Sequence, residues 1–527
     1  MKPHAYKVLI TTSGIGQKLG DLTKFTNKAL IRIGKKSALS YIIESYSKDT
    51  PLVITLGYFG DLIRQFVSLA YPDRKNIEFV EIDKYSGEES SLGYTMLQTK
   101  DKLQCPFIYH ACDTLVTDPV PAPAENWVGV HRQGDPSLYA TWQVASDDTL
   151  IYCDRGAIDF DFIHIGLVGI KDFEAYWKIL EKLYSKNPKN QGLNDGEVIR
   201  EMVKQNLKFQ VVEFPTWYDT GNVVGLNQAR RETLDRFDNL DKAEESIFIF
   251  DNFVIKFFKD TQYIKDRVAR AEVLKGLTPK IEHHTQNFYR YEFVKGDLYS
   301  RTVTPEDFKK FLTWAKRELW HPSEEVSREE FKKKCLDFYQ GKTKTRALSL
   351  LQDNSLEDEE QLINGELVPK FSEIFDQVNF KKLSEGEPRR IHGDLVLDNI
   401  IHTPDSYCLL DWRQNFGGLI KSGDIYYDLA KLYHNLVVSH DAVFNNLFSV
   451  KISGNHVSCD ILRKHNLVDC ENVLFNFIKD EGYDLDKVKL ITSLVWLSSS
   501  PLHHHPYNLF LYHLGKLNLW RSVKNQK

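Results

Sequence analysis

The stretch RIHGDLVLDNIIHTPDSYCLLDWR, from Arg390 to Arg413, decides how this chain is read. Two apolar runs, Ile400-Ile401 and Cys408-Leu409-Leu410, flank a Thr-Pro-Asp-Ser turn, a pattern that predicts a β-hairpin. Asn399 precedes the first strand and Asp411 ends the second. A hairpin brings those two ends together, so an amide and a carboxylate can share one Mg²⁺. Asp394 sits in the preceding loop, where it can orient a hydroxyl and accept its proton. A base, metal ligands and a phosphate cradle are nearly all that phosphoryl transfer from ATP requires. A bare His-Gly-Asp means little. Three elements in this order, with an apolar strand on each side of the turn, mean much more than a chance set of turn and cap residues.

Working outward, 527 residues exceed one ordinary domain and predict two or three units. A hydrophobic content of 42% with 27% charged residues is that of a globular protein with a sizeable core. A net charge of −5 offers no basic face for nucleic acid. The seven cysteines are scattered and never form Cys-x-x-Cys, so free thiols in a reducing cytoplasm are expected. No signal-peptide pattern opens the sequence, and no apolar run approaches the ~18 residues of a membrane span. The expectation is a soluble, cytoplasmic protein with no membrane partner.

The N-terminal half alternates strand and helix. Strands are predicted at residues 6–12, 51–58, 77–82 and 106–111, with helices at 37–46 and 61–69. That alternation predicts a mostly parallel, Rossmann-like sheet with ligands at the carboxyl ends of its strands. The first strand runs into Thr12-Ser13-Gly14-Ile15-Gly16-Gln17-Lys18. A dinucleotide fingerprint fails here on spacing, and a Walker loop fails because Leu19 follows Lys18. Two readings remain: a nucleotidyltransferase loop that wraps a triphosphate with backbone N–H groups, or a simple strand-to-helix turn.

The run TTSGIGQKLGDLTKFTNKALIRIGKKSALSYIIES resembles the opening of the sugar-phosphate and choline-phosphate nucleotidylyltransferases. Lys18 stands where that family commonly has Arg, and Asn27-Lys28-Ala29 replaces Pro-Lys-Pro. The resemblance implies that Lys18 stabilises leaving pyrophosphate, that Lys28 holds a phosphate, and that Asp113 and Asp219 (the latter in WYDTG) bind Mg²⁺. It also implies a nucleotide-binding loop at Thr12, Ser13, Gly14, Ile15 and Gly16. A small-residue turn at Ser91, Leu92 and Gly93 would lie against the base. The strand FIHIGLVGI, residues 162–170, would face the sugar, with His164 where many relatives have Asn. A phosphate monoester is largely dianionic near pH 7, so such a transfer needs charge cancellation rather than a general base.

A charged stretch over residues 231–246 reads as a solvated helix or linker, and SIFIFDNFVIKFF after it as two strands about an Asp251-Asn252 turn. Lys256, then Glu272 on an amphipathic helix, follow the kinase order of phosphate lysine and helix glutamate, although an edge-strand lysine is the bland reading of Lys256. No glycine-rich loop precedes Lys256. With GDIYYDLAKLYHNL, residues 423–436, the C-terminal half resembles the aminoglycoside phosphotransferase and choline kinase superfamily. That resemblance implies Asp394 as base, Asn399 and Asp411 as Mg²⁺ ligands, and structural roles for Asp424 and Asp428. His503-His504-His505 reads as a loop and the aromatic C-terminus as core.

The expected organisation is a nucleotidyltransferase domain over residues 1–235, a kinase-like N-lobe with linker over 236–300 and a helical, kinase-like α+β C-lobe over 301–527. The expected protein is bifunctional. It phosphorylates a sugar or amino alcohol with ATP, then joins the product to a nucleotide from CTP or UTP, releasing pyrophosphate. The rival reading is that one half is a catalytically silent binding or regulatory module.

Overall fold

A computed structural model describes residues 6–145, 150–232 and 244–525. The charged stretch at 231–246 lies largely outside the described residues. The chain divides into two compact units, Met1–Thr261 with Glu282–Tyr291, and Gln262–Ile281 with Glu292–Lys527.

In the first unit β1 (Lys7–Thr11) leads through the glycine loop to α1 (Ala38–Glu44), β2 (Leu52–Leu56), α2 (Gly60–Ala70), β3 (Ile77–Glu81), α3 (Leu92–Leu97) and β4 (Phe107–Ala111). Strands β1 to β4 form a parallel block ordered β3-β2-β1-β4. Every residue of β2 is buried, as expected of a parallel strand covered on both faces. Neighbours β1 and β4 connect in opposite directions along the sheet, so a crevice opens at their carboxyl ends.

The sheet continues through β5 (Thr114–Val116, outside the main sheet), β6 (Trp127–His131), β7 (Thr141–Val144), β8 (Leu150–Cys153) and β9 (Phe162–Ile170). Strand β9 runs antiparallel to β4, β6 and β7. This half of the nine-stranded sheet is therefore mixed, and alternating strand and helix signals did not announce it. Helices α4 (Phe173–Lys186) and α5 (Asp195–Lys204) follow, then β10 (Gln210–Glu213) and β11 (Trp217–Asp219). Strand β11 pairs with β5 as a short antiparallel ribbon, Asp219 opposite Thr114.

The hairpin β12 (Glu245–Ile249) and β13 (Phe253–Phe258) forms as its alternation predicts. Its connection is tight and aromatic: Phe250 N–H donates to Phe253 O at 2.9 Å and the two rings stack at 4.5 Å. After α6 (Thr261–Val273), strands β14 (Ile281–His284) and β15 (Phe288–Glu292) complete a four-stranded sheet ordered β12-β13-β15-β14. Phe248 and Phe288 of this sheet pack on Phe66 of α2, with ring centroids 4.9 and 6.1 Å apart. The sheet that the sequence assigns to a kinase N-lobe thus shares a core with the first unit.

The second unit is mainly helical. It includes α7 (Lys342–Asp353), the hairpin β16 (Ile400–His402) and β17 (Tyr407–Leu409), and α8 (Ile425–Val437), α9 (Leu485–Ser499) and α10 (Tyr507–Lys524). Asp297–Leu298 adds to the β16 edge, making three strands. Trp496, Tyr507 and Tyr512 are buried core residues. All seven cysteines are free thiols, and no described helix is long and apolar enough to cross a membrane.

Candidate active sites

The first site is a cleft of about 620 Å³ at the carboxyl ends of β1 and β4. Ile15, Gly16, Lys18, Lys28, Asp113, His164 and Asp219 all line it, so residues 204 positions apart in sequence meet there. The root of the glycine loop is fixed first. Thr12 N–H donates to Thr55 Oγ1 at 3.1 Å, and the Thr12 hydroxyl donates to the Thr55 carbonyl. Thr12 is fully buried with its N–H and hydroxyl both spent on Thr55, so, contrary to its expected place in the nucleotide-binding loop, it has no donor left for a phosphate. Ser13 turns its hydroxyl to Thr95, 3.4 Å away. Gly14 has open space where a Cβ would project, whereas Gly16 has φ +74° and a Cβ there would meet Lys28 Cβ at 3.0 Å. Glycine is thus required at Gly16, where the loop turns left-handed against Lys28.

Asn27 pins the segment that carries Lys28. Its Nδ2 donates to Thr12 O (2.8 Å) and Tyr58 O (2.6 Å), and its Oδ1 accepts from Ala29 N–H (2.8 Å). Lys28, the next residue, reaches Asp113 Oδ2 at 2.6 Å. Burial pulls the Lys28 pKa down, but Asp113, with smaller help from Cys112 and Asp219, raises it overall. Burial likewise pushes Asp113 up, and Lys28 more than reverses this. Lys28 is therefore a fixed cation and Asp113 a fixed anion.

The β5–β11 ribbon brings Asp219 alongside. Thr220 N–H donates to Asp113 O (2.8 Å), while Tyr139 OH and Asn222 Nδ2 donate to Asp219 Oδ2 at 2.8 and 2.7 Å. Gly221 marks the space between the carboxylates: a Cβ there would lie 2.7 Å from Asp113 Oδ2 and 3.0 Å from Asp219 Oδ1. Two hard oxygen donors converging on one point, with room for the oxygens of a bound phosphate, fit Mg²⁺. Among the described residues no group of three or more His, Cys, Asp or Glu could hold a metal unaided. The remaining ligands would have to come from substrate and water, as is usual for Mg²⁺.

Ser91 caps α3, accepting from Tyr94 N–H at 3.0 Å, and Gly93 is small because a Cβ would strike Leu193 at 2.5 Å. The cleft wall here is Tyr85, Ser86, Gly87 and Ser90; of the expected turn SSLGYT only Ser90 lines it, and Ser91, Leu92 and Gly93 do not. Arg155, Tyr139 and Gln191 also line the cleft; as isolated loop residues they carry no sequence pattern that would reveal them. His164 is held at both nitrogens. Trp142 Nε1–H donates to Nδ1 at 3.1 Å, so Nε2 carries the proton and donates to Asp195 at 2.9 Å.

The second site is the loop and hairpin from His392 to Asp411. His392 Nε2–H donates to Leu410 O (2.8 Å) while Nδ1 accepts from Asp394 N–H (3.3 Å), strapping the loop to the end of β17. Burial lowers the His392 pKa to about 4, so the ring is neutral. Asp428 on α8 accepts from His392 N–H, Gly393 N–H and Trp320 Nε1–H at 2.8, 2.7 and 3.0 Å. Asp424 caps α8 and accepts from Glu387 N–H at 3.0 Å. Both hold the scaffold.

Asp394 Oδ1 pairs with Lys431 Nζ at 2.8 Å, and Oδ2 lies 3.3 Å from Asn399 Nδ2. Burial would raise the Asp394 pKa, but Lys431 with lesser help from His392 and Arg413 takes it well below the usual carboxylate range. Asn399 O accepts from Leu410 N–H at 2.7 Å, so the hairpin sets Asn399 beside the residue preceding Asp411. Asp411 has φ +56°, a left-handed backbone that Asp tolerates better than most residues. Its anchor is Trp412, whose Nε1–H donates to Arg267 O at 3.0 Å. An amide oxygen and a carboxylate are again suitable Mg²⁺ donors.

Helix α6 differs from expectation. Glu272 is exposed, and the charged residues on the buried face are Arg267 and Arg270. Arg270 donates to the carbonyls of Ile391 and Ile420, and Arg267 NH1 lies 4.0 Å from Asp411 Oδ1. This face holds the loops around Ile391, Asp411 and Ile420 through its arginines, whereas Glu272, expected as the helix glutamate, points away from it. Lys256 is buried on β13 of the first unit.

Residues 294–448 match the phosphotransferase enzyme family. The match contains Asp394, Asn399, Asp411 and Lys431. No match was found among curated proteins. Among solved structures, the chain is similar to the CTP:phosphocholine cytidylyltransferase of Streptococcus pneumoniae, with 19% identity and a TM-score of 0.36 over 43% of this chain and 97% of that one. It is also similar to the inositol-1-phosphate CTP transferase of T. maritima, with 15% identity and a TM-score of 0.34 over 43% and 96%. For a UDP-glucose pyrophosphorylase of Acinetobacter baumannii the figures are 13%, 0.35, 43% and 92%.

Proposed function

We propose that the chain is a bifunctional transferase. Its second unit phosphorylates a small-molecule hydroxyl with ATP, and its first unit transfers a nucleotidyl group, from CTP or UTP, to the phosphorylated product. The supporting observation is that each unit gathers charged and polar side chains suited to its own step. The first has a fixed lysine and two carboxylates around one point in a cleft. The second has an ionised aspartate beside an amide and a second carboxylate.

Mg²⁺, when bound, would neutralise phosphate charge at both centres. In the second unit Asp394, kept ionised, takes the proton of the acceptor hydroxyl as its oxygen bonds to the γ-phosphorus and ADP leaves. In the first unit an incoming phosphate displaces pyrophosphate from the α-phosphorus. Lys28 and Lys18 offset charge there, and Arg155 is available to the incoming phosphate. The first product is the second substrate, and covalent linkage of the two units keeps it locally concentrated. The domain division at residues 235 and 300, with Lys256 in a kinase N-lobe, belongs to this proposal.

The test is incubation of the full chain with ATP, Mg²⁺, each NTP and a pool of hydroxyl metabolites. Asp394→Asn should stop ADP formation while leaving pyrophosphate release from CTP or UTP when a phosphate ester is supplied. Asp113→Ala should do the reverse. Product formation that survives both changes would overturn the assignment. The aromatic β12–β13 turn, which lacks glycine, favours a second reading in which the kinase half binds ATP without turning over. ATP binding by the wild-type chain with no ADP formation in the presence of any acceptor would support it.

A further inference from the structure

Four cations gather around the base of the second unit. Lys431 touches Asp394 at 2.8 Å. Arg413 leans on the His-Gly-Asp loop, where a Cβ on Gly393 would meet Arg413 Cβ at 2.7 Å, and its NH1 is 3.4 Å from Tyr427 OH. The head groups of Arg413 and Lys342 each lie 4.9 Å from the centroid of the same ring, Phe338. Phe338 belongs to a π-helical turn, Asp337–Gly341, immediately before α7, an irregularity common at functional sites. Arg346, one turn further along α7, is the fourth; its NH1 donates to Ser498 O at 3.1 Å, and its charge is felt by both Arg413 and Lys342. Among the described residues neither Lys342, Arg346 nor Arg413 has a carboxylate within ion-pair distance. Lys431, the only one that does, uses Asp394 itself.

Such a cluster is costly when empty. Burial, then Arg413, Arg346 and Lys431, depress the Lys342 pKa to about 6, with Asp394 opposing. Near pH 7 Asp394 is thus one negative charge against three fixed positive ones, with Lys342 a fourth that takes up its proton when an anion arrives. A cationic amino alcohol or aminosugar brought to this base would add a further cation in partly desolvated surroundings, where like charges repel strongly. An anion would relieve the repulsion.

We infer that the phosphoryl acceptor is an anionic hydroxyl compound, whose carboxylate or phosphate group sits among Lys342, Arg346 and Arg413 while its hydroxyl faces Asp394. This rests on the kinase reading above and gives it a substrate class. In the step, the acceptor oxygen bonds to the γ-phosphorus of ATP, the bond to the β–γ bridging oxygen breaks, the hydroxyl proton passes to Asp394, and ADP carries away the bonding pair. The product then bears two anionic groups.

The test is ADP release by the full chain with four acceptor sets: hydroxy acids such as glycerate and gluconate, phosphate esters such as glycerol 3-phosphate, neutral sugars and polyols, and the cations choline, ethanolamine and galactosamine. The inference expects turnover with the first or second set, and the two arms tell carboxylate from phosphate. With the active acceptor, Lys342→Glu should raise KM tenfold or more and Lys342→Arg should restore it. Preferred turnover of neutral or cationic acceptors overturns this inference alone. A rise in the KM for ATP instead of the acceptor also overturns it, because the cluster then serves the γ-phosphate. No ADP formation with any acceptor overturns the kinase reading and this inference with it.

Discussion

Gly221→Ala tests the first site more cleanly than removal of either carboxylate. The added methyl would lie 2.7 Å from Asp113 Oδ2 and 3.0 Å from Asp219 Oδ1. Ordinary contacts begin near ~3.5 Å, so the carboxylates would have to part by about 0.8 and 0.5 Å. The Gly221 backbone is not left-handed, so alanine meets no φ strain. Overpacking of this kind costs about 1–3 kcal/mol of stability. Displacement of reacting groups by about 1 Å can cost on the order of 10²-fold in rate. Gly221→Ala should therefore stay folded and lose about two orders of magnitude in pyrophosphate release across a full Mg²⁺ titration. Asp113→Ala would be less informative for stability, because it leaves Lys28 without its 2.6 Å partner. The assay is pyrophosphate release from CTP or UTP with a phosphate ester, alongside a thermal melt. Wild-type rates in a folded Gly221→Ala protein would refute the placement of a cation between the two carboxylates.

Asn27→Ala should orphan the carbonyls of Thr12 and Tyr58 and loosen Lys28, costing about 2–6 kcal/mol at about 1–3 kcal/mol per unsatisfied group. An unchanged melting temperature and unchanged kcat/KM for nucleotidyl transfer would refute that positioning role. His110 is buried between Tyr46 OH and Thr114 O, and burial lowers its pKa from 6.5 to about 4. The unfolded chain binds a proton below pH 6.5 that the folded chain refuses until about 4. Stability of the first unit should thus be full above pH 6.5 and fall as the pH drops towards 4, by about 3 kcal/mol at 1.36 kcal/mol per pH unit. Urea melts at neutral and acid pH should show that loss, and His110→Asn should flatten it; equal slopes would count against it. Lys431→Met removes the partner of Asp394 and should cut ADP formation by about 10²-fold or more, the scale of a misplaced general base. A kcat within a few-fold of wild type would place Lys431 outside the machinery.

Elements with a strong period were legible in the sequence. The buried strands β1, β2 and β4, the hairpin β16–β17 and the helix α8 formed close to where their apolar patterns put them, because burial on one or both faces dictates the residue at each position. The convergence of Lys28, Asp113 and Asp219 was legible only through resemblance, since no spacing rule links residues so far apart. Glu272 shows the opposite failure. Its helix has the expected place in the chain, but which face is buried depends on what packs against it, and two arginines occupy that face.

What the sequence alone determined is the pair of local motifs, the glycine loop with its lysines and the His-Gly-Asp hairpin. Short-range geometry, meaning a left-handed glycine, a side-chain cap and a tight turn, is written into adjacent residues. The tertiary structure decided the rest: which strand ends face one cleft, that Thr12 is spent on Thr55, and that four cations crowd one aspartate. Those are long-range electrostatic and packing outcomes. They depend on distances between residues that the chain order does not contain.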